Sequence, residues 1–445
     1  MASRANFLLK KVEKAPGQFG PVPVLFAALV LVLYAYFLSL NLSELGKVLF
    51  YDESQWIWVS QKYFGDVIRG DFRNPHWQEN YARFGNSNPK IAQYLIGISL
   101  YLSGELNTKF PAMKWNWNKD RYWNIWKGHS PPWRTLFYGR IPMPFLGAFC
   151  GVLFFYLTTR IMSWPSALVA TLFFGSSEVL TTYSARAMQD VPALFFNLLF
   201  LAVLFSIPWR KVLPKFWTRT FLYAAVSGFF LGLAVSTKLN NLVLIGVFGL
   251  YLFWVTVVEM EPKLRISLRK INRFLICSIV GMLVCGMVFV GSNPYLYSTS
   301  PLKTFQKSKI LFQLGAEVRK SREEEMNKKY AIYSSREKFK QINRKILKGA
   351  ISGKPALNWA IILAGLIFLL FRLRSALKKG SASETDHLVL ALLAGAIIFI
   401  GNFCWIPFNW GRHFLPFLTP LAIAIGFSVE IILYFFTILY NLISK

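Results

Sequence analysis

The chain has 445 residues, of which 54% are hydrophobic, 17% aromatic and only 16% charged, with a formal net charge of +29. Soluble domains carry about 25% charged residues, so this composition leaves almost no room for a soluble globular enzyme, and its many large apolar side chains argue against disordered, collagen-like and coiled-coil chains. The basic residues are spread over many loops and not gathered in one stripe, which disfavours nucleic acid and suggests anionic lipid or phosphate partners.

In chain order, a basic tail (Arg4, Lys10, Lys11, Lys14) precedes an apolar run over 21–42. That run exceeds the roughly 7 to 15 residues of a signal-peptide core and can cross about 30 Å of hydrocarbon. Further charge-poor runs of spanning character lie at 141–159, 165–183, 191–209, 220–237, 239–258, 274–291, 355–371, 388–406 and 414–442. The run 91–103 is too short to cross and predicts an interfacial or re-entrant helix. The expected fold is an all-α polytopic membrane protein of about ten transmembrane helices, with juxtamembrane helices in a long first exported loop. Its expected organisation is a membrane module over 1–291 that includes the exported loop 43–140, an exported basic loop over 292–354, and C-terminal transmembrane helices over 355–445. Cys150, Cys277, Cys285 and Cys404 all lie in apolar runs. Positions 277 and 285 would sit about 12 Å apart along one helix, too far for a bridge, so no disulfide or thiolate metal site is expected.

With ten spans, the short loops bearing Arg160, Arg210–Lys211, Lys263–Arg273 and Arg372–Lys379 fall on the side of the N-terminus. The positive-inside rule makes that side cytoplasmic, while long loops have little say. A span at 91–103 would turn every later basic loop outward, so the rule also argues against one. In the first exported loop, Trp56, Trp58, Trp77, Trp115, Trp117, Trp123, Trp126 and Trp133 read either as an interfacial aromatic belt or as flat faces for sugar rings. The second exported loop carries Glu323–Glu325 and an apolar helical spacing at Ile310, Leu311, Leu314 and Val318, which suits a solvated amphipathic helix or a lid.

This topology gathers the remaining ionisable residues at the exported edge: Asp52 and Glu53 after the first span, Arg140 before the second, Arg186 and Asp190 between the third and fourth, Lys238 between the fifth and sixth, and Arg412 and His413 before the last. Ionisable groups at such depth are costly and usually functional. Each also has a plainer reading, since Arg140 and Lys238 could snorkel and Asp190 could serve only a helix N-terminus. Glu178 and Glu430 lie inside spans and read as polar helix contacts. A carboxylate beside cations can act as general base on a hydroxyl, while Arg and Lys neutralise a departing phosphate. Asp52, Glu53 and Asp190 could also supply oxygen ligands to a divalent metal, though no spacing is diagnostic.

Several segments resemble one family. Tyr51-Asp52-Glu53, Asn88-Pro89-Lys90-Ile91, Gly139-Arg140-Ile141-Pro142, Ser184-Ala185-Arg186 with Asp190-Val191-Pro192-Ala193, and Gly232 to Lys238 are similar to motifs of the protein O-mannosyltransferase and aminoarabinose-transferase branch of the GT-C glycosyltransferases. Order and spacing agree over roughly 20–260, with a weaker echo at Trp410-Gly411-Arg412-His413-Phe414. Where the family often has His-Pro-Pro-Leu, this chain has Asn88-Pro89-Lys90-Ile91, so any role of that His is lost or moved, for example to His76 or His129.

The resemblance implies the GT-C fold and an inverting transferase that uses a polyprenyl-phosphate-linked sugar donor and a lipid, glycan or protein acceptor at the extracytoplasmic face. By carry-over, Asp52 would be the general base and Glu53 would position donor or acceptor. Arg140, Lys238, Arg412 and His413 would meet the donor phosphate, with Arg186 and Asp190 shaping the site. Nothing resembles the extra lumenal domain of eukaryotic mannosyltransferases, which points to a prokaryotic inner-membrane enzyme. The competing readings are a transporter or flippase, against which stand the edge location of the charges and the lack of a repeat, and a non-catalytic scaffold.

Overall fold

The computed structural model describes residues 23–72, 77, 88–116, 118–212, 217–259, 265–298, 300–311, 313, 332, 334–348, 351–405 and 411–443. The N-terminal tail, His76, Trp117, Leu314, Val318 and Glu323–Glu325 lie outside these described residues.

All ten segments expected to cross are helical. They are α1 (Pro23–Ser43), α6 (Pro142–Thr159), α7 (Trp164–Gly175) with α8 (Glu178–Tyr183), α9 (Asp190–Ser206), α11 (Trp217–Val235), α12 (Val243–Val257), α13 (Ile271–Gly291), α15 (Pro355–Lys379), α16 (Ala382–Trp405) and α17 (Leu418–Ile443). Between them lie α2 (Glu53–Ile68), α3 (Ile91–Leu102), α4 (Arg121–Trp126), α5 (Trp133–Arg140), α10 (Trp209–Val212) and α14 (Ser335–Ile342). Eight of the described helical segments are long and apolar enough to cross a membrane, and α3, α7 and α9 are shorter apolar helices. The chain is an all-α integral membrane protein. Its only described strand pairing is the two-residue ladder Val258↔Ile266 and Glu259↔Arg265.

The run 165–183 is not one helix. It breaks at Ser176 and Ser177, where hydroxyls compete for backbone hydrogen bonds, after Gly175, whose absent side chain lets Phe37 approach: a Cβ there would meet the ring at 2.2 Å. The break frees α8 to carry Tyr183 towards the charged end of the bundle. It also corrects the reading of Glu178, which is an exposed first-turn residue of α8 and not a contact within a span.

Side chains this apolar gain nothing from leaving lipid for other helices, so close packing must hold the bundle together. Helices α11 and α13 pair closely, as do α15 and α17, α1 and α6, and α12 and α16. A Cβ on Gly365 would lie 1.8 Å from the Ala424 carbonyl oxygen, so only glycine permits the α15–α17 crossing. At the end with the short basic loops, Arg210 Nε donates to both Asp386 oxygens (2.9 and 2.8 Å). Glu430 accepts from the Ser163 hydroxyl (2.8 Å) and from Arg372 (3.4 Å), which makes it a polar helix contact.

At the opposite end a second apolar cluster packs the first long loop onto the bundle. Leu49, Trp56, Ile57, Ile96, Leu100, Trp115 and Leu136 bury themselves with Met143, Ala187 and Met188. Helix α3 lies against α2 and α5, and Ser99 Oγ donates to the Tyr138 carbonyl (2.6 Å). The loop is closed further by Glu105, which accepts from the Thr135 and Thr108 hydroxyls (2.7 and 2.8 Å) and pairs with Arg134 (2.8 Å). The Thr135 hydrogen bond, with those from Thr108 and the Arg134 charge, holds the Glu105 carboxyl below its usual range against the opposing effect of burial. A carboxyl depressed on folding stabilises above its unfolded pKa, and that stability is lost as pH falls through the folded one. We therefore expect hydrogen exchange over 103–135 to accelerate on acidification through the carboxylate range, and Glu105→Gln to flatten that pH response.

Candidate functional site: an ion-pair cluster at one end of the bundle

The sequence Asp52-Glu53 sits at the start of α2, where the chain returns from α1, and its two carboxylates point into different surroundings. Glu53 is completely buried. Its Oε1 accepts from Arg140 Nε (2.7 Å) and the Ala187 N–H (2.9 Å), and its Oε2 from Arg140 Nη2 (2.6 Å), the Phe50 N–H (2.7 Å) and Arg186 Nη1 (3.5 Å). Arg140, also fully buried, directs its other N–H groups to the carbonyls of Leu45 and Lys47 (2.7 Å each) and Val48 (3.5 Å). A guanidinium has five N–H donors, and all of them are committed here. In this arrangement every Arg140 N–H group is given to Glu53 or to a loop carbonyl, and both Glu53 oxygens accept from protein donors. The two side chains form a closed latch that ties loop 45–53 to α5 and to the 184–189 turn.

Asp52 faces the other way and pairs with Arg412 Nη1, which arrives from the 3₁₀ turn Gly411–Phe417 preceding α17. Both side chains are largely buried, keeping 8% and 11% of their exposure. The half-buried His413 follows in the same turn. Tyr183 from α8 sits among these groups, interacting with Asp190, Arg412 and Arg186, and its hydroxyl lies where a Cβ on Gly411 would come within 3.0 Å.

Asp190, the first residue of α9, receives Lys238 Nζ at 2.7 Å. Lys238 therefore faces inward to a carboxylate and does not snorkel. Arg186 Nε and Asp190 Oδ2 are buried with no hydrogen-bond partner among the described residues. Arg186 otherwise donates to the Val48 carbonyl and to Glu53, and burial pulls its pKa down, with the Glu53 charge opposing. An unpaired buried donor costs about 1–3 kcal/mol, a cost that any acceptor reaching Arg186 Nε would offset.

The cluster brings together Asp52, Glu53, Arg140, Arg186, Asp190, Lys238, Arg412 and His413, all the residues singled out in the sequence. Four of its side chains are Arg or Lys and three are carboxylates. As for a metal, each carboxylate already has a cationic partner, and no group of three or more His, Cys, Asp or Glu among the described residues could hold an ion. His129 lies outside the cluster, near Asn124 (3.3 Å), with its carbonyl accepting from Ser54 Oγ.

Sequence reasoning gave no role to Lys90 or Tyr183. Lys90 is fully enclosed, with its ammonium 4.1 Å above the centre of the Tyr63 ring and donating to the Asn88 carbonyl (3.2 Å), and burial drives its pKa well down. The Asn88–Lys90 segment is pinned beside the cluster by Gln189 Nε2 to Asn88 Oδ1 (3.1 Å) and by the Ile91 N–H to the Ser236 carbonyl (3.2 Å). A lysine opening an otherwise uncharged helix was the available signal.

Residues 76–292 match the family model described as dolichyl-phosphate-mannose-protein mannosyltransferase. Among solved structures, ArnT from Cupriavidus metallidurans, bound to undecaprenyl phosphate, is similar with a TM-score of 0.52 and 15% identity over 92% of this chain and 60% of its own. The oligosaccharyltransferase AglB from Archaeoglobus fulgidus, in complex with an inhibitory peptide and a dolichol-phosphate, has a TM-score of 0.51 and 12% identity over 94% of this chain and 52% of its own. The chain thus spans between half and two thirds of the length of these relatives. No curated protein matches its sequence. The chain has the GT-C fold, and its resemblance to the protein O-mannosyltransferase and aminoarabinose-transferase branch extends from short motifs to the whole 76–292 segment.

Proposed function

We propose that the chain is an inverting glycosyltransferase that moves a sugar from a polyprenyl-phosphate-linked donor to a hydroxyl of an envelope lipid, glycan or protein, at the extracytoplasmic face of a prokaryotic inner membrane. The observation that carries this reading is the Asp52–Arg412 pair within a cluster in which Arg and Lys outnumber carboxylates. A polyprenyl- or dolichyl-phosphate in the similar structures and the mannosyltransferase family model support the choice of donor class.

In the proposed reaction, Asp52 takes the proton of the acceptor hydroxyl as its oxygen forms a bond to the anomeric carbon. The bond from that carbon to the phosphate oxygen breaks, its electron pair stays on the phosphate, and the leaving group gains a negative charge. Arg412, Arg186 and Lys238, with His413 beside them, stabilise that charge, which exists only as the bond breaks and so lowers the barrier. Asp190 holds Lys238 in place. The Glu53–Arg140 latch fixes the loop bearing Asp52.

Purified protein given a panel of labelled polyprenyl-phosphate sugars and membrane extract should transfer one sugar. Movement of an intact donor across vesicles without cleavage would favour a flippase. Arg186→Met should lower kcat/KM for donor by about 10- to 150-fold, the loss of one charge-assisted hydrogen bond of roughly 1.5–3 kcal/mol, and an unchanged kcat/KM would remove Arg186 from the phosphate site.

A further inference from the structure

Three chain segments meet beside the ion-pair cluster. The Ile91 N–H at the start of α3 donates to the Ser236 carbonyl (3.2 Å), Gln189 Nε2 donates to Asn88 Oδ1 (3.1 Å), and Lys238 Nζ donates to Asp190 Oδ1 (2.7 Å). Residues 88–93, 189–190 and 236–238 are held together by these bonds at one junction. Gln93 stands in the first turn of α3, on its buried face with Ala92 and Ile96. Helical side chains lean toward the N-terminus of their own helix, so the Gln93 carboxamide leans toward the end at which the three segments join.

The polar groups of this junction are only partly used. Gln93 Nε2, Gln93 Oε1, Gln189 Oε1, Asp190 Oδ2 and Ser236 Oγ are all buried with no hydrogen-bond partner among the described residues. Gln93 and Ser236 are completely enclosed. Buried side-chain polar atoms nearly always have partners, and leaving one unpaired is costly, so a carboxamide with both ends unpaired marks a place where a ligand supplies them. Three of the five atoms accept, one donates, and the Ser236 hydroxyl does either. A phosphate or carboxylate only accepts and would leave the acceptors unpaired. An ammonium would meet the Lys238 charge already seated on Asp190. A row of neutral hydroxyls, each able to donate and accept, matches the set.

We propose that Gln93, with Gln189, Asp190 and Ser236, recognises the hydroxyls of an uncharged sugar on the donor, and that Gln93 sets which sugar is preferred. The inference rests on the proposed transferase reading and adds to it the chemical class of the sugar and the residues that bind it. Lys238, which that reading places on the leaving phosphate, is bonded to Asp190 and lies two residues from Ser236. A sugar joined to that phosphate therefore comes within reach of the junction.

The test measures binding of five lipids to the full chain in detergent: undecaprenyl methyl phosphate, which carries the phosphodiester charge and no sugar, and the mannosyl, glucosyl, galactosyl and aminoarabinosyl phosphodiesters of undecaprenol. One hexosyl lipid should bind about tenfold more tightly than the methyl ester, the ratio expected from one or two neutral hydrogen bonds. Gln93→Met keeps the length of the side chain without its polar ends. It should erase that excess, leave the affinity for the methyl ester unchanged, and hold or raise the thermal midpoint, because an unpaired buried polar group gives way to an apolar one. Ser236→Ala should lower the excess by about threefold and decides the matter if Gln93→Met does not fold. An excess that survives these substitutions, as it would if buried water alone paired these atoms, overturns the proposal. So does a hexosyl series that binds no better than the methyl ester, or tighter binding of the aminoarabinosyl lipid than of any hexosyl lipid. Binding of the methyl ester in those cases leaves the transferase reading standing, whereas a chain that binds none of the five lipids loses both.

Discussion

Asp52→Asn should lower kcat for sugar transfer by about 10²- to 10⁴-fold, the range that a positioned general base supplies. Asparagine keeps the shape of the side chain and an oxygen that accepts from Arg412, but it cannot take the proton of an acceptor hydroxyl. The loss should therefore appear in kcat, with the KM for donor nearly unchanged, because an interaction made only in the transition state has been removed. Asp52 and Arg412 are both buried, but Asp190 also faces the guanidinium, so Arg412 keeps a second carboxylate when Asp52 is neutralised, and a measured thermal midpoint separates lost chemistry from lost folding. A variant that turns over within a few-fold of the native chain would exclude Asp52 as the base.

The neighbouring residue should behave in the opposite way. Glu53→Gln or Arg140→Met should destabilise the fold itself, by about 3–5 kcal/mol, the cost of breaking one side of a buried ion pair and leaving the other charge uncompensated. Glu53 receives five donors, and Arg140 gives all of its N–H groups to Glu53 and three loop carbonyls. The thermal midpoint in detergent should drop sharply for either single variant, and the double variant Glu53→Gln with Arg140→Met should recover part of the loss because the fully buried Arg140 charge is gone and only the more exposed Arg186 is left without its carboxylate. A single variant that keeps its midpoint but loses donor affinity would return Arg140 to the phosphate site. Two adjacent carboxylates thus make separable claims, one on rate and one on stability.

The membrane fold was legible because hydrocarbon thickness sets a length that few other structures produce, and the basic short loops marked one end. The 165–183 run misled because hydropathy averages over Gly175-Ser176-Ser177, where a glycine pressed against Phe37 is followed by two serines whose hydroxyls compete for backbone hydrogen bonds. The site was legible as a set, since topology alone gathers Asp52, Glu53, Arg140, Arg186, Asp190, Lys238, Arg412 and His413 at one edge. The division of labour within the set was not. Whether a buried arginine has donors to spare depends on carbonyls such as those of Leu45, Lys47 and Val48, which every residue carries and no sequence pattern marks. Lys90 escaped notice for the same reason, its burial being decided by Tyr63 on a neighbouring helix.

The proposed reaction breaks a polyprenyl phosphate–sugar bond with inversion at the anomeric carbon. It is tested most directly by following a donor of known anomeric configuration through one turnover, with phosphorus NMR on the lipid and proton NMR on the product. The account predicts conversion of the phosphodiester to the polyprenyl phosphate monoester, in equal amount with a product of opposite anomeric configuration. A product that retains the donor's configuration, or a donor that stays an intact phosphodiester while acceptor is present, would contradict it.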